Sequence, residues 1–493
     1  MSSKLNLLLR QSSMMMMNKQ FHRSLHESIP EDLKKRYHFQ TYEELCHRIS
    51  NATPSIKQDL FNAMIQRKFS PAGNTLLAGI RSIRPNCSIL PTVTDENLEE
   101  IKVRAINIWK HHTGIGFDLS GCQNPVQVLY ELAQLNDSIK FDDRCQRGNM
   151  AVLTANHPQA IQFAQCKIEN PEKIFNFNIS IAFENDEQFE NAYEQALNLK
   201  QGVLWATAQS AWKCGCPGIV FLNRFREASC EKELSSVDST IEPICTTVPC
   251  GEQGMRPNES CNLGVINLFA HIDQQTNLID LDQLRSTVRL AVTFLDLIVD
   301  QIEIDDPQMQ QQTQQLRRIG LGVTGLADCL HKAQFNYNSN EALTYANSLA
   351  STIAIQANQQ TEFLANQLGR FHPLIDRRNI TVTCCQPTGN ITRLLQTKGF
   401  AIEPFMEQAT NISPIDHLNM QLVWQKHFEN AVSKTVNLPS STTIEDILQI
   451  FSYSYQTRIL KGVAVYRDYS RDQQPITLTT RKHCNQADSI CSL

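Results

Sequence analysis

The sequence predicts an α/β fold, either an open sheet or a barrel, because short β-rich runs alternate with helical patterns along most of the chain. A helix is predicted before Gly369, since apolar side chains recur at helical spacing from Leu349 to Leu368 and glycine is a common helix C-cap. Buried strands are predicted where apolar, β-branched residues form short runs, at 175–182, 218–222, 380–384 and 462–466.

Length and composition exclude several classes of protein. The chain has 493 residues, enough for about two or three average domains or one large α/β barrel. Its 41% of hydrophobic and 19% of charged residues exclude global disorder. The formal net charge of −5 argues against a nucleic-acid partner. No run of about 18 apolar residues occurs, so no membrane span is predicted.

The sixteen cysteines are spread along the chain, and no secretory signal precedes them. We therefore expect reduced thiols in a cytoplasmic protein rather than a disulfide framework. The residues before Glu27 include four Lys or Arg residues and no acidic residue. This composition is loosely typical of an organelle transit peptide, and the alternative is a frayed or docking tail.

Two patterns that look like site motifs are not predicted to be sites. The run 320–325 matches the dinucleotide pattern G-x-G-x-x-G, but the preceding residues 312–318 are not a strand. We expect these glycines to allow close helix packing. The cysteines at 214 and 216, and those at 384 and 385, lack the C-x-x-C spacing of structural zinc sites, so no metal is predicted.

The most informative segment contains a cysteine in a predicted tight loop. Pro249 and Gly251 flank Cys250, and residues two apart in an extended loop project to the same side, so Cys250 and Glu252 should face one substrate. A thiol beside a carboxylate suits hydrogen-atom or proton chemistry. Cys261 follows before a strand-like run. The alternative is that these cysteines are small buried hydrophobic residues.

This segment resembles the active-site finger loop of ribonucleotide reductase catalytic subunits. The resemblance covers about residues 40–475 and implies a ten-stranded α/β barrel around a central finger loop. Further motifs agree in the same order, at 69–76, 86–87, 114–116, 147–150, 157–158, 178–180, 217–221, 318–322, 387–391, 402–404 and 431–439.

The resemblance also implies the domain organisation and the subclass. Residues 1–40 are expected to be an N-terminal tail, 41–475 the barrel with a helical N-terminal part, and 476–493 a flexible tail with a cysteine pair. The run 461–468 is similar to the adenosylcobalamin-dependent class II enzymes, and the paired tyrosines of class I enzymes have no clear counterpart. Adenosylcobalamin is therefore the expected cofactor.

The family's chemistry implies roles for several residues. A thiyl radical on Cys250 would take the 3′ hydrogen of a ribonucleotide, and Glu252 would act as base at the 3′ hydroxyl. Cys261 matches one of two cysteines that reduce the 2′ position and become a disulfide. Its partner is expected on a strand near the start of the barrel, and Cys122 is the best candidate in the sequence.

The same resemblance implies sites for reductant and substrate. Cys484 and Cys491 match a C-terminal pair that reopens the disulfide by thiol exchange, although they could be incidental. Thr75 is a further expected contact near the phosphate or ribose. The substrate phosphate is expected on a turn that precedes a helix N-terminus, formed by Pro387, Thr388, Gly389, Asn390, Ile391 and Thr392.

The sequence departs from the family pattern at two places. Val248 stands where the family has an asparagine that bonds the ribose hydroxyls. Losing such a hydrogen bond costs about 1–3 kcal/mol, or roughly 5- to 150-fold in rate. The chain also runs directly from Ser120 to Pro125, where family members are longer. This shortening weakens the assignment of Cys122 and affects the effector-responsive loops.

The leading hypothesis is a class II ribonucleotide reductase that acts on ribonucleoside di- or triphosphates. A nucleotide effector, a thioredoxin or glutaredoxin as reductant, and a second copy in a homodimer are its expected partners. One alternative is a reductase-like protein that binds nucleotides and turns over poorly. Another is a class I-like subunit that needs a separate radical-generating partner.

Overall fold

The computed structural model describes residues 29–139 and 148–470. None of the helices within these residues is both long enough and apolar enough to span a bilayer. The α-helices are Glu31–Tyr37, Tyr42–Asn51, Lys57–Ile65, Leu98–Trp109, Pro125–Ser138, Ala160–Glu169, Asp186–Leu199, Gly202–Cys214, Leu222–Arg226, Ser229–Val237, Leu281–Val299, Pro307–Leu316, Leu326–Lys332, Asn340–Leu368, Gly389–Leu395, Pro414–Gln425 and Ile444–Gln456.

The strands form a ten-stranded sheet and a separate two-stranded ribbon. The strands are β1 (Phe69–Pro71), β2 (Cys87–Ile89), β3 (Gly114–Asp118), β4 (Asn149–Thr154), β5 (Phe177–Phe183), β6 (Gly218–Phe221), β7 (Thr246–Thr247), β8 (Gly254–Met255), β9 (Ser260–Asn267), β10 (Ile319–Thr324), β11 (Thr435–Leu438) and β12 (Gly462–Arg467). In the large sheet the order is β1, β9, β2, β3, β4, β5, β6, β12 and β11, with β10 paired to β9. The ribbon joins β7 and β8.

The large sheet closes into a barrel because β10, at one of its ends, is bridged to the chain that enters β11, at the other end. One edge of β9 pairs antiparallel with β2 and β1, and the other edge pairs parallel with β10. An extended segment bridges β10 to the chain that enters β11, through the pairs Leu321–Thr383 and Cys385–Val432. The predicted ten-stranded α/β barrel is confirmed.

Most of the predicted elements are present. The runs at 175–182, 218–222 and 462–466 are β5, β6 and β12, and the helix predicted before Gly369 ends at Leu368. The run 380–384 is not a regular strand. It lies between two neighbours and divides its hydrogen bonds between them: Cys384 N–H donates to the Leu321 carbonyl, while Thr383 accepts from Asn430 N–H.

Gly320 and Gly322 lie inside β10, and Gly325 follows the strand as the N-cap of helix Leu326–Lys332, so the first two glycines do not form the turn that a dinucleotide site needs. Their packing partners are strand and loop residues rather than the helices that we expected. A Cβ atom at Gly320 would lie 2.4 Å from Gln253 Nε2 and 2.5 Å from Cys384 Sγ. The glycine therefore makes room for side chains inside the barrel.

The ordered fold begins earlier than the predicted boundary at residue 41. Helix Glu31–Tyr37 buries Leu33 and Tyr37, and Asp32 pairs with Arg393 at 2.8 Å. The sequence pattern missed this helix because seven residues are too few to show a helical period. The rest of the predicted N-terminal tail before residue 29 and the tail 476–493 lie outside the described residues.

The central finger loop, residues 246–255, is formed by β7, β8 and the turn between them. Its base contacts the barrel wall, since Thr246 Oγ1 donates to the Phe117 carbonyl at 3.5 Å. Gly116 of β3 faces the loop so closely that a Cβ atom would lie 2.1 Å from the Thr247 carbonyl oxygen. The loop thus fills the barrel, as the resemblance implies.

A buried network of two arginines and two glutamates holds the exit of this loop. Arg318 donates to Glu231 at 2.7 Å and to Glu259 at 2.5 Å. Arg256 donates through its guanidinium to Glu231 and through its backbone N–H to Glu259 at 2.9 Å. All four side chains are at most 2% exposed. Burial alone would raise the pKa of Glu231, but the two arginines together lower it.

Replacing Glu231 with glutamine should lower the free energy of unfolding by about 3–5 kcal/mol, because two buried guanidinium groups lose a compensating charge. Urea unfolding at neutral pH measures this change. The matched control is Asp282→Asn, which removes an exposed ion pair to Arg285 and should cost less than about 1 kcal/mol. Equal losses in the two variants would contradict a special role for the network.

Candidate active site

Strand register brings two cysteines together inside the barrel. Cys87 of β2 pairs directly with Cys261 of β9, and on its other side Cys87 pairs with Gly114 of β3. Paired residues of neighbouring strands point to the same face of a sheet. Gly114 faces the finger loop, because a Cβ atom there would lie 2.8 Å from Pro249 Cγ and 3.6 Å from Cys87 Sγ. Both thiols therefore face the loop.

A second row of paired residues faces the loop from the next strands. Gly116 pairs with Met150 of β4, and Met150 pairs with Asn178 of β5. Asn178 Nδ2 donates to the Pro249 carbonyl oxygen at 2.9 Å. The tip of the finger loop is thus in contact with β3 on one side and with β5 on the other.

The finger loop presents Cys250 at its tip, as predicted. Gly251 N–H donates to the Val248 carbonyl at 2.9 Å, and Val248 N–H donates to the Gln253 carbonyl at 3.0 Å. Gly251 has a φ of +76°, which glycine adopts readily, and a Cβ atom there would meet no other atom within 4 Å. Cys250 is half-buried, and Gly251 beside it adjoins open space.

Glu252 is buried below the tip and carries an unsatisfied oxygen. Its side chain is 2% exposed, and Oε2 has no hydrogen-bond partner in the structure. Burial raises the pKa of Glu252 to about 7. The segment beside it is fixed by Ala431 N–H, which donates to the Glu252 carbonyl at 2.9 Å. A carboxyl group that titrates near neutrality and lacks a partner suits a general base.

The structure corrects the assignment of Cys122 as the partner of Cys261. Cys122 lies four residues after the end of β3 and is buried. Its thiol donates a hydrogen bond to the Val93 carbonyl at 3.3 Å. Cys87 and Cys261 lie level with Gly114 at the opposite end of β3. Five strand residues separate these ends by about 13 Å, which is too far for a disulfide.

Cys87 takes the place that was predicted for Cys122. Directly opposed residues of antiparallel strands have Cα atoms about 4.5–5.5 Å apart, within the range that a disulfide spans. The pair at 86–87 is among the motifs that carry the resemblance, and it precedes β3, near the start of the barrel. A strict search for a cysteine on an early strand would have selected Cys87.

The predicted phosphate loop, residues 387–392, is braced by its own hydroxyl groups. Thr388 precedes helix Gly389–Leu395 with a φ of +61°. Its Oγ1 lies 2.7 Å from Thr392 Oγ1 and accepts from Ala401 N–H at 2.9 Å. These hydroxyls fix the shape of the loop. Pro387, Gly389 and Asn390 are half-buried, and Ile391 is buried.

The remaining predicted contacts lie apart from one another. Thr75 is fully buried and donates to Asn262 Oδ1 at 3.0 Å, next to Cys261. Val248 is also fully buried, and its side chain offers only methyl groups to its surroundings. Cys484 and Cys491 lie outside the described residues. Within the described ranges, no group of three or more His, Cys, Asp or Glu side chains is placed to hold a metal ion.

Mild oxidation of the purified chain should join Cys87 to Cys261, because their strands hold the two residues directly opposite each other. Peptide mapping by mass spectrometry identifies the bond. Cys87→Ser and Cys261→Ser should each abolish it, whereas the matched Cys122→Ser should leave it unchanged. A bond between Cys122 and Cys261 would overturn the assignment.

Glu252 should make the stability of the chain depend on pH. Between about pH 4.5 and pH 7, the folded chain keeps a proton on Glu252 that the unfolded chain has released. The free energy of unfolding should therefore fall as the pH rises through this window, by up to about 3 kcal/mol. Glu252→Gln should remove this part of the pH dependence, measured by urea unfolding at several pH values. The same pH dependence in the wild type and in Glu252→Gln would contradict the raised pKa of Glu252.

Comparison with known proteins agrees with this geometry. The family model of the ribonucleotide reductase barrel domain matches residues 183–384 and 400–466. A class Id ribonucleotide reductase alpha subunit from Actinobacillus ureae has a similar fold, with a TM-score of 0.74. It is 15% identical, and the match covers 87% of this chain and 94% of that chain.

Curated proteins are similar over most of the chain. A vitamin B12-dependent ribonucleoside-diphosphate reductase of Thermoplasma acidophilum is 29% identical over 80% of this chain and 62% of its own length. The protein of the same name from Mycobacterium tuberculosis is 29% identical over 73% of this chain and 60% of its own length. The chain thus spans about 60% of these relatives. Because the barrel-domain model matches more than half of the residues, the chain belongs to the ribonucleotide reductase barrel-domain family.

Proposed function

We propose that the chain is an adenosylcobalamin-dependent ribonucleotide reductase that converts ribonucleotides into 2′-deoxyribonucleotides. The observation that carries the proposal is the pairing of Cys87 with Cys261 beside a finger loop whose tip bears Cys250. Two opposed thiols can supply the two electrons of the reduction, and a third thiol can start it. Glu252 adds a buried carboxyl group with a free oxygen atom.

The proposed reaction begins at the tip of the finger loop. A thiyl radical on Cys250 takes the 3′ hydrogen atom of the ribose, and Glu252 accepts the proton of the 3′ hydroxyl. The 2′ hydroxyl leaves as water with a proton from a thiol. Cys87 and Cys261 then give two electrons, deliver the second thiol hydrogen to C2′ and become a disulfide. Glu252 returns its proton to the 3′ oxygen, and Cys250 returns the hydrogen atom to C3′. The products are one deoxyribonucleotide, one water and one disulfide.

The barrel protects this chemistry from solvent. Cys261 and Glu252 are at most 2% exposed, and Cys87 is only half-buried, which leaves one side for substrate. Excluding water also strengthens the interaction of Glu252 with a ribose hydroxyl. We infer that the substrate phosphates bind at the N-terminal turn of helix Gly389–Leu395, with Thr388 and Thr392 keeping the shape of the loop. The N–H groups of Gly389, Ile391 and Thr392 already donate to the carbonyls of Pro387 and Thr388, so they are not the phosphate donors.

The tip of the finger loop is open on one side, because Cys250 is half-buried and no atom lies within 4 Å of the position of a Cβ atom on Gly251 beside it. This opening supports an external source of the radical. Adenosylcobalamin, when bound, supplies a carbon-centred radical by homolysis of its cobalt–carbon bond. Cys250 and Gly251 are the residues that we expect to face it. The vitamin B12-dependent relatives support this choice.

Turnover needs the disulfide to be reopened. We propose that Cys484 and Cys491 carry out this exchange and are reduced in turn by thioredoxin or glutaredoxin. The described cysteines form no disulfide with one another, which suits a cytoplasmic location. A nucleotide effector and a homodimer remain expectations that follow from the family.

A second candidate function is nucleotide binding with little turnover, and Val248 favours it. Its buried side chain cannot bond a ribose hydroxyl, so transition-state stabilisation should be weaker by a hydrogen bond. Substrate would then bind normally while the hydrogen-transfer step slows. The rate of the reduction, rather than the affinity, separates this candidate from the first.

The first experiment is anaerobic reduction of ribonucleoside di- and triphosphates by the full chain, with adenosylcobalamin and a dithiol. We expect deoxyribonucleotide that depends on the cofactor and is lost in Cys250→Ala. Val248→Asn should raise the rate roughly 5- to 150-fold, because it restores a hydrogen bond to the ribose. Product formation is measured by chromatography.

The controls distinguish the candidates. Cys122→Ser should keep full activity, whereas Cys87→Ser and Cys261→Ser should form no deoxyribonucleotide, because neither variant can supply both electrons. Nucleotide binding without product in both wild type and Val248→Asn would favour the binding protein. Product that forms without cobalamin, once a radical-generating subunit is added, would favour the class I-like alternative.

A further inference from the structure

The tip of the finger loop is held at two atoms by the barrel wall. On one side the ring of Pro249 packs against Gly114, where a Cβ atom would lie only 2.8 Å from Cγ. On the other side Asn178 Nδ2 donates to the carbonyl oxygen of the same proline at 2.9 Å. That carbonyl belongs to the peptide bond that joins Pro249 to Cys250.

We propose that Asn178 is the positioning residue of the Cys250 thiol; this inference rests on the proposed function. The peptide group is planar, so fixing the Pro249 carbonyl also fixes the direction of the Cys250 N–H and Cα. The proline ring leaves φ of residue 249 little freedom. The hydrogen bond from Asn178 therefore sets the remaining orientation of the tip.

Two backbone bonds also hold the loop near Cys250: Gly251 N–H donates to the Val248 carbonyl, and Ala431 N–H donates to the Glu252 carbonyl. Neither bond is made by the peptide group that joins Pro249 to Cys250. Gly251 follows Cys250 with a φ of +76° and has open space where a side chain would be. Glycine offers many alternative conformations, so the tip would explore several of them without a fixed point on its other side. Asn178 supplies that point from β5, a strand whose pairing with β4 runs over its first six residues.

The position of the thiol matters because hydrogen transfer needs close approach. Displacing a reacting group by about 1 Å can cost about 100-fold in rate. Asn178 does not need to touch the substrate to have this effect. Its loss should lower kcat by about 10- to 100-fold and leave KM unchanged, because the phosphate loop is a separate part of the barrel.

The experiment compares Asn178→Ala, Asn178→Gln and Asn176→Ala in the full chain. Asn176 is the matched control, since its amide donates to Asn136 and Asp137 and is not in the finger loop. Two readouts are used: kcat and KM, and the rate at which iodoacetamide alkylates each cysteine, resolved by peptide mass spectrometry. The second readout needs no catalytic activity.

In Asn178→Ala, we expect iodoacetamide to alkylate Cys250 about 2- to 12-fold faster, because losing one net hydrogen bond raises the population of a displaced loop tip by that factor. The alkylation rate of Cys261 should not change. Asn178→Gln keeps an amide donor and should recover most of the wild-type behaviour. Asn176→Ala should lower the melting temperature without changing either readout at Cys250.

Unchanged alkylation of Cys250 in Asn178→Ala, or the same change in Asn176→Ala, would overturn the inference. A rise in KM without a fall in kcat would also overturn it, because that result places Asn178 in substrate binding. If the wild type shows no turnover, the proposed function fails, and the alkylation rates still decide whether Asn178 positions the loop.

Discussion

The site depends on keeping a polar finger loop inside a barrel. The buried ion pairs at the C-terminal end of this loop allow only one position of the loop relative to the strands. Arg256, which directly follows β8, bonds to both Glu231 and Glu259. Arg318, which directly precedes β10, pairs with the same two glutamates. Each charge has a partner only when the finger loop, β9 and β10 are in register. A shifted loop would leave a buried ion unpaired, so the network excludes that alternative more than it adds net stability.

The sequence was sufficient for the fold because the motifs and the periodicities agreed at each level. β5, β6, β12 and the helix ending at Leu368 follow from local pattern alone. The segment 380–384 did not, because its β-rich composition says nothing about how its hydrogen bonds are divided between β10 and residue 430. Composition predicts a buried extended segment, and tertiary context decides whether it becomes a strand.

The site could be predicted in part. Cys250, Glu252 and Cys261 lie in one short stretch of sequence, where spacing limits their geometry. That Cys250 and Glu252 face one substrate stays a prediction, and the structure adds that Glu252 is buried. The residue opposite Cys261 is distant in sequence: strand register places Cys87 there, and the motif at 86–87 was the sequence signal that could have favoured it over Cys122. Asn178 was missed as a site residue because its contact with Pro249 spans 71 residues. Such long-range pairings depend on which strands are neighbours, and no local pattern encodes this.

The direct opposition of Cys87 and Cys261 has a consequence for the redox cycle. Because backbone hydrogen bonds already hold the two strands at the spacing of a disulfide, passing between dithiol and disulfide requires rotation of two side chains and no rearrangement of the sheet. The barrel can therefore keep one shape through every turnover. In the proposed reaction, the reorganisation in each cycle would then be confined to two side chains, and the architecture around the Cys250 thiol would be the same in both oxidation states.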